Sequence, residues 1–193
     1  MSEDIGARVR GQKLTVLSDN HYILRKADFE YRHPDSLWQA QRRESYDIGD
    51  GAAVLPIDRK TGTVLLVRQF RWPVFETGYR QLLIETIAGK LEGDTPEDCV
   101  MREAIEEAGV AIHDPKLVFH TFMSPGAVKE RLFLFIAGYD AATARHETGG
   151  IRAEGEDIET LEIPLEHAMA MIASGEIADA KTVMLLQYAA LNR

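Results

Sequence analysis

From residue 50 onward, apolar and polar residues alternate in short runs of strand length broken by turn residues. Ala52–Ile57 and Val64–Gln69 flank the turn-rich Asp58–Gly62 and predict two strands. Leu82–Thr86, Leu117–Phe122, Arg131–Tyr139 and Ile158–Ile163 are further strand candidates. A helix is predicted after Thr95, with Thr95 as N-cap, Pro96 in the first helical position and Gly109 as its stop. Asp98, three positions after the cap, can return a capping bond, and Val100, Met101, Ala104, Ile105 and Ala108 are the expected packed side. Leu165–Ala173 and Thr182–Leu191 read as two further helices, the first ended by Ser174-Gly175. Upstream, residues 13–46 hold shorter apolar runs, with strand candidates at Leu14–Leu17, Tyr22–Leu24 and Leu37–Gln41. There is no internal repeat and no strict βαβ repetition, so the pattern predicts a mixed α/β or α+β chain. The main domain is expected over residues 48–193, behind a small N-terminal segment at 1–47.

The helix after Thr95 carries the most chemistry. Glu103 and Glu107 are four residues apart and Glu103 and Glu106 three apart, so the carboxylates share one face. Glu106 and Glu107 differ by about 100° and would approach one ion from different sides. Like charges at helix spacing oppose folding by roughly 0.2–0.5 kcal/mol per pair, and a hard cation such as Mg2+ or Mn2+ removes that cost, usually alongside phosphate. An ordinary solvated helix face, with Arg102 and Glu106 as an i,i+4 pair, is the plain alternative.

Charge and composition narrow the choices. A formal charge of −9 with no basic stripe argues against nucleic-acid binding. The single cysteine, Cys99, leaves no internal disulfide, and its place in the helix predicts a packed thiol. No apolar run reaches spanning length and no signal-like segment begins the chain, so neither a membrane nor export is expected and the cytoplasm is the default. Gly89 and Gly93 do not make a dinucleotide fingerprint, and the phosphate-loop motif GxxxxGK[ST] is absent.

Gly89, Arg102, Glu103, Glu106, Glu107 and Gly109, with the run Arg-Glu-Ala-Ile-Glu-Glu-Ala-Gly, resemble the box of the Nudix hydrolases. One departure is visible: Gly89 and Arg102 stand one residue closer than usual, and Asp94 or Thr95 occupies the neighbourhood of an absent glutamate. Further stretches resemble the Nudix branch that cleaves nucleoside-diphosphate sugars: Arg43–Asp47, Arg68–Arg71, Met123–Gly126, Glu154–Asp157, and Gly175–Ile177 before Lys181-Thr182. The resemblance implies an α/β/α sandwich with a mixed sheet, preceded by a small N-terminal antiparallel sheet exchanged within a homodimer. It implies cleavage of GDP-mannose to GMP and mannose 1-phosphate, with ADP-ribose or a broad range of nucleoside-diphosphate sugars as alternatives. A nucleotide-sugar sensor without catalysis is the alternative from a different class.

The same resemblance implies roles for residues. Glu103 and Glu107, supplemented by Glu106 and the Ala88 carbonyl, would hold Mg2+, with Mn2+ as a substitute. Arg102 would orient a carboxylate through its guanidinium fork. Glu154, or else Glu156, would supply a catalytic base or late metal ligand from a glycine-containing loop. Arg43, Arg68 and Arg71 are candidates for the diphosphate, since a guanidinium can bind two phosphate oxygens. Tyr46 would stack on the base or support the domain junction, Lys181 would contact the purine or sugar or stay solvated at its helix start, Ser124 and Gly126 would shape a pocket turn, and Glu130 would support it.

Overall fold

The apolar runs Ala52–Ile57 and Val64–Gln69 become central strands of the larger sheet. The computed structural model describes residues 4–143 and 157–192, which divide into two compact units. One comprises Met1–Gly49 with Ser124–Glu130, the other Asp50–Met123 with Arg131–Arg193.

In the larger unit, β4 (Gly51–Asp58) and β5 (Thr63–Gln69) form the expected pair of strands. They are followed by a short helix α1 (Trp72–Glu76), β6 (Leu83–Glu85), β7 (Ile87–Lys90), helix α2 (Pro96–Ala108) and β8 (His113–Phe122). β10 (Arg131–Gly138), β11 (Glu159–Pro164), α3 (Leu165–Ser174) and α4 (Ala180–Leu191) complete it. The sheet runs β11-β5-β4-β10-β8 and is mixed, with β10 parallel to β4 and β8 antiparallel to β10.

Successive residues of a strand face opposite sides of a sheet, and here both sides are covered. Ala53 and Leu55 of β4, Leu66 of β5 and Leu134 of β10 pack with Leu165 and Ala168 of α3 and Leu185 and Leu186 of α4. Ala52, Val54, Leu65, Val67 and Phe135 point the other way, onto Cys99, Val100 and Ala104 of α2. The result is the expected α/β/α sandwich.

β4 and β5 pair only near their turn, at Ile57↔Val64 and Asp58↔Thr63. Beyond it they diverge, and the next segment fills the fork. β6 pairs with β5, and β7 pairs with β4, with Ala88 opposite Ala53 and Gly89 opposite Ala52. The strand expected at Leu82–Thr86 is β6, and a second, unexpected strand, β7, follows it after a break at Thr86. The apolar pattern marks burial and carries no sign of the change of partner.

The smaller unit is a sheet of β1 (Val9–Asp19), β2 (Ile23–Arg32) and β3 (Trp38–Asp47), closed by β9 (Val128–Lys129) parallel to β3. The strands are two to three times longer than their apolar runs. Their residues alternate imperfectly because this sheet has no solid core on either face. No described residue of this unit is buried, and Leu14, Val16, Leu17 and Leu37 are among its exposed apolar side chains.

Candidate active site

Helix α2 begins and ends where its caps require. Thr95 Oγ1 accepts from the Asp98 backbone N–H at 3.2 Å, and Gly109 closes the helix in a left-handed conformation at φ 65°. Asp98 answers the cap through its side chain, accepting from the Thr95 hydroxyl at 2.7 Å.

The packed stripe differs from the expected one. Met101 and Ile105 are 45% and 50% exposed, while Cys99, Val100, Ala104, Glu107 and Ala108 are buried. A carboxylate thus takes a core position. Glu107 is turned toward β7, where its Oε2 accepts from the Ala88 backbone N–H at 3.2 Å. Burial, reinforced by the charge of Glu103, pushes the Glu107 carboxyl up to about 8.

Glu103 lies across the next residue of the same strand. A Cβ on Gly89 would stand 1.8 Å from Glu103 Oε1, so Gly89 is the cradle in which this carboxylate rests. Arg102 gathers the rest of the cluster. Its Nη1 donates to Glu103 Oε1 and Glu106 Oε2, both at 2.8 Å, and its Nε donates to Asp94 Oδ2 at 3.2 Å. It distributes its donors over three carboxylates, so Asp94 of the shortened loop belongs to the cluster. Burial works against the guanidinium's charge, but Glu103, Asp94 and Glu106 outweigh it and hold Arg102 above its ordinary range. Cys99 is a buried thiol, pushed up to about 11 by burial first and Glu103 second, and its Sγ donates to the Lys90 carbonyl.

Among the described residues, no three His, Cys, Asp or Glu side chains converge closely enough to hold an ion. The physical cause is visible: the Arg102 cation stands among the carboxylates, and Glu107 is turned onto a backbone amide. The donor chemistry nevertheless fits a hard divalent cation. Two carboxylates, Glu107 and Glu103, border one backbone segment, Ala88-Gly89, and Glu106 joins Glu103 on the Arg102 guanidinium.

The structure therefore brings Ala88, Arg102, Glu103, Glu106 and Glu107 together. It brings two other candidates together at a different point. Glu85, 3% exposed, accepts from Arg71 Nε at 2.8 Å and from Lys181 Nζ at 2.6 Å. Lys181 is buried and also meets Asp179 Oδ1 at 3.0 Å. Desolvation opposes its charge, yet Glu85 and Asp179 hold the ammonium above its ordinary range. Arg68 pairs with Glu159 at 2.7 Å, and its buried Nε has no hydrogen-bond partner among the described residues.

The remaining candidates belong to the smaller unit. Arg43 is exposed and donates to the Arg42 carbonyl. Tyr46 is half-exposed and meets Tyr22 edge to face at 5.4 Å. The Ser124 carbonyl accepts from the Ala127 and Val128 amides to form the turn that carries Gly126, and Glu130 is half-buried at its end. Glu154 and Glu156 lie outside the described residues. Glu85 went unnoticed in the sequence, although a lone carboxylate inside the apolar run Leu82–Ile87 is a signal that a partner cation is folded against it. Two surface concavities of about 520 and 770 Å3 sit at the other end of β4, around Ile57 and Arg59, and no candidate residue lines either.

The strand that cradles Glu103 on Gly89 and holds Glu107 on the Ala88 amide thus brings together the residues that resemble the Nudix box. A NUDIX domain model matches residues 47–186, and the chain belongs to the Nudix family of hydrolases. That family generally uses divalent metal ions. Residues 8–46 match the GDP-mannose pyrophosphatase NudK N-terminal domain. The GDP-mannose pyrophosphatase of Pectobacterium atrosepticum is 45% identical over 92% of this chain and 91% of its own length. That of Yersinia enterocolitica is 40% identical over 97% of this chain and 98% of its own. A crystal structure described as an ADP compounds hydrolase superposes with a TM-score of 0.68 over 90% of this chain and 88% of that one. At 16% identity that likeness concerns the fold.

Proposed function

We propose that this protein hydrolyses the pyrophosphate bond of GDP-mannose, releasing GMP and mannose 1-phosphate, with Mg2+ as its cation and Mn2+ as a substitute. The observation that carries this reading is the match of residues 8–46 to the N-terminal domain of GDP-mannose pyrophosphatases. The NUDIX match over residues 47–186 names no substrate, whereas the match over residues 8–46 does. Relatives of that name, 40–45% identical over nearly the whole chain, support the same substrate.

Glu103, Glu106, Glu107 and the Ala88 carbonyl would hold the cation, which neutralises phosphoryl oxygens and makes water a stronger nucleophile. Arg102 keeps Glu103 and Glu106 at fixed positions and offsets their mutual repulsion. Glu107 would serve as a ligand in its ionised form, with the Ala88 amide as its anchor. Glu154, with Glu156 next, accepts the proton of the attacking water. Arg68 and Arg71, with Arg43, bind the diphosphate; Tyr46 stacks on the base, and Ser124 and Gly126 shape a pocket turn that Glu130 supports.

The working form on this reading is a homodimer with exchanged N-terminal segments, comprising a dimerisation and substrate-binding sheet at 1–47 and a hydrolase domain at 48–193. The support is the smaller unit's lack of any buried residue among those described, because a sheet without a core needs further surface to cover it. The compartment is the cytoplasm, and nucleic acid is not a partner. Among the described residues no helix is long and apolar enough to cross a membrane.

The deciding experiment is a matched kinetic panel of GDP-mannose, GDP-glucose, ADP-ribose and ADP-glucose with Mg2+ or Mn2+ and product identification. The reading requires the highest kcat/KM for GDP-mannose and the appearance of GMP. A higher value for ADP-ribose overturns the substrate, and tight binding without product release turns the protein into a sensor.

A further inference from the structure

The fork in the sheet must be held open at Thr86. There the chain leaves the edge of β5 for the edge of β4, and its N–H points at neither strand. That buried amide donates instead to Thr182 Oγ1 at 2.7 Å, across 96 residues of sequence. An amide left without a partner at this depth would be strongly unfavourable. The Thr86 hydroxyl donates to the Val54 carbonyl, which ties the crossing to β4 as well.

The Thr182 hydroxyl has its own anchor. It donates to Asp179 Oδ2 at 2.6 Å, and the same oxygen caps α4 by accepting from the Thr182 N–H at 3.0 Å. One residue away, Lys181 joins Asp179 to Glu85, the neighbour of Thr86. Two consecutive residues of α4 thus grip two consecutive residues of the crossing. Thr86 and Thr182 are 1% and 0% exposed. Two residues beyond Thr86 lies Ala88, whose amide binds Glu107, and then Gly89, on which Glu103 rests.

We propose that Thr182, braced by Asp179, is a positioning residue for the cation site: it sets Ala88 and Gly89 against the carboxylates of α2 by holding the crossing at Thr86. The Lys181–Glu85 pair locks the same crossing and directs Arg71 from the far oxygen of Glu85. Outer partners of this kind commonly change metal affinity or activity by about 10- to 100-fold when removed. This proposal rests on the metal-dependent reading above.

The test is Mn2+ binding by electron paramagnetic resonance, without substrate, for the wild type, Thr182→Val and Thr182→Ser. Valine keeps the shape and removes the hydroxyl; serine keeps the hydroxyl and removes the methyl. Thr182→Val is expected to weaken Mn2+ binding about tenfold or more and to lower kcat at saturating Mn2+, with KM little changed, and Thr182→Ser to restore both. Asp179→Ala, which removes the acceptor that braces the Thr182 hydroxyl, serves if the valine variant does not fold, and is expected to weaken Mn2+ binding in the same direction. Unchanged Mn2+ affinity in the folded variant overturns the positioning role, whatever happens to its Tm. A wild type that binds no Mn2+ defeats the underlying reading, and the positioning role with it.

Discussion

Gly89→Ala isolates the cradle from the rest of the fold. Gly89 is not among the residues with positive φ, so alanine meets no backbone strain there. What it meets is Glu103: the new Cβ would lie 1.8 Å from Oε1, 2.1 Å from Cδ and 2.6 Å from Cγ. Three consecutive atoms collide, so rotating the carboxylate about its last bond relieves nothing. The side chain must leave its rotamer and retreat by more than an ångström, abandoning its 2.8 Å bond from Arg102. Loss of a charged hydrogen bond is worth about 1.5–3 kcal/mol. For a chain of this length that lowers Tm by about 3–12 °C. Misplacing a catalytic group by about 1 Å costs on the order of 10²-fold in rate. The expected variant is therefore folded, with kcat down about 100-fold and weakened Mn2+ binding, resembling Glu103→Gln in turnover. Scanning calorimetry, Mn2+ titration and GMP release read the three quantities separately. Near-normal turnover and Mn2+ affinity in Gly89→Ala would refute the cradle argument, as would loss of the fold itself.

Three other outcomes are expected. The carboxyl of Glu107 stands at about 8 in the metal-free fold against an ordinary 4.5, so the folded state holds a proton that the unfolded state has lost. Its contribution to stability is complete below about 4.5 and disappears as pH rises through 8, with a ceiling of about 5 kcal/mol at about 1.36 kcal/mol per pH unit. Metal-free protein should lose Tm across that window; metal affinity should rise up to about tenfold per pH unit, and Glu107→Gln should flatten both trends. Glu154→Gln should lower kcat more than it raises KM at saturating metal, and a silent Glu154→Gln beside a defective Glu156→Gln would move the base to Glu156. Light scattering should find a dimer, and a fully active monomer that persists on dilution would remove the exchanged-segment assembly.

The helix was legible because its signals are local. Thr95, Pro96 and Gly109 delimit α2 within 15 residues, and the Arg-Glu and Glu-Glu pairs need only helical periodicity to share a face. Met101 and Ile105 misled because hydrophobicity alone assigned them to the core, whereas Glu107 takes a buried position once a backbone amide awaits it. The long strands of the smaller unit were read short for the opposite reason: a sheet buried on neither face imposes no alternation on its sequence. Helix α1, five residues with a proline at its start, has no period to detect. Least legible was the grip of α4 on the crossing at Thr86. A threonine and a lysine at a helix start look like ordinary solvated residues until a segment 96 positions away is folded against them.

That separation also bears on the order in which the molecule matures. Closing a loop of this length precedes any return from the contact it makes, so contacts between Thr86 and Thr182 belong to the late, non-local part of folding. During synthesis the fork leaves the ribosome well before the helix that holds it open, and the chain emerges N-terminus first. A nascent chain bearing Glu103, Glu106 and Glu107 of α2 still has an amide at Thr86 exposed to water and two strands free to close on each other. The carboxylates thus exist before their geometry does, and the arrival of α4 times the appearance of a shaped site.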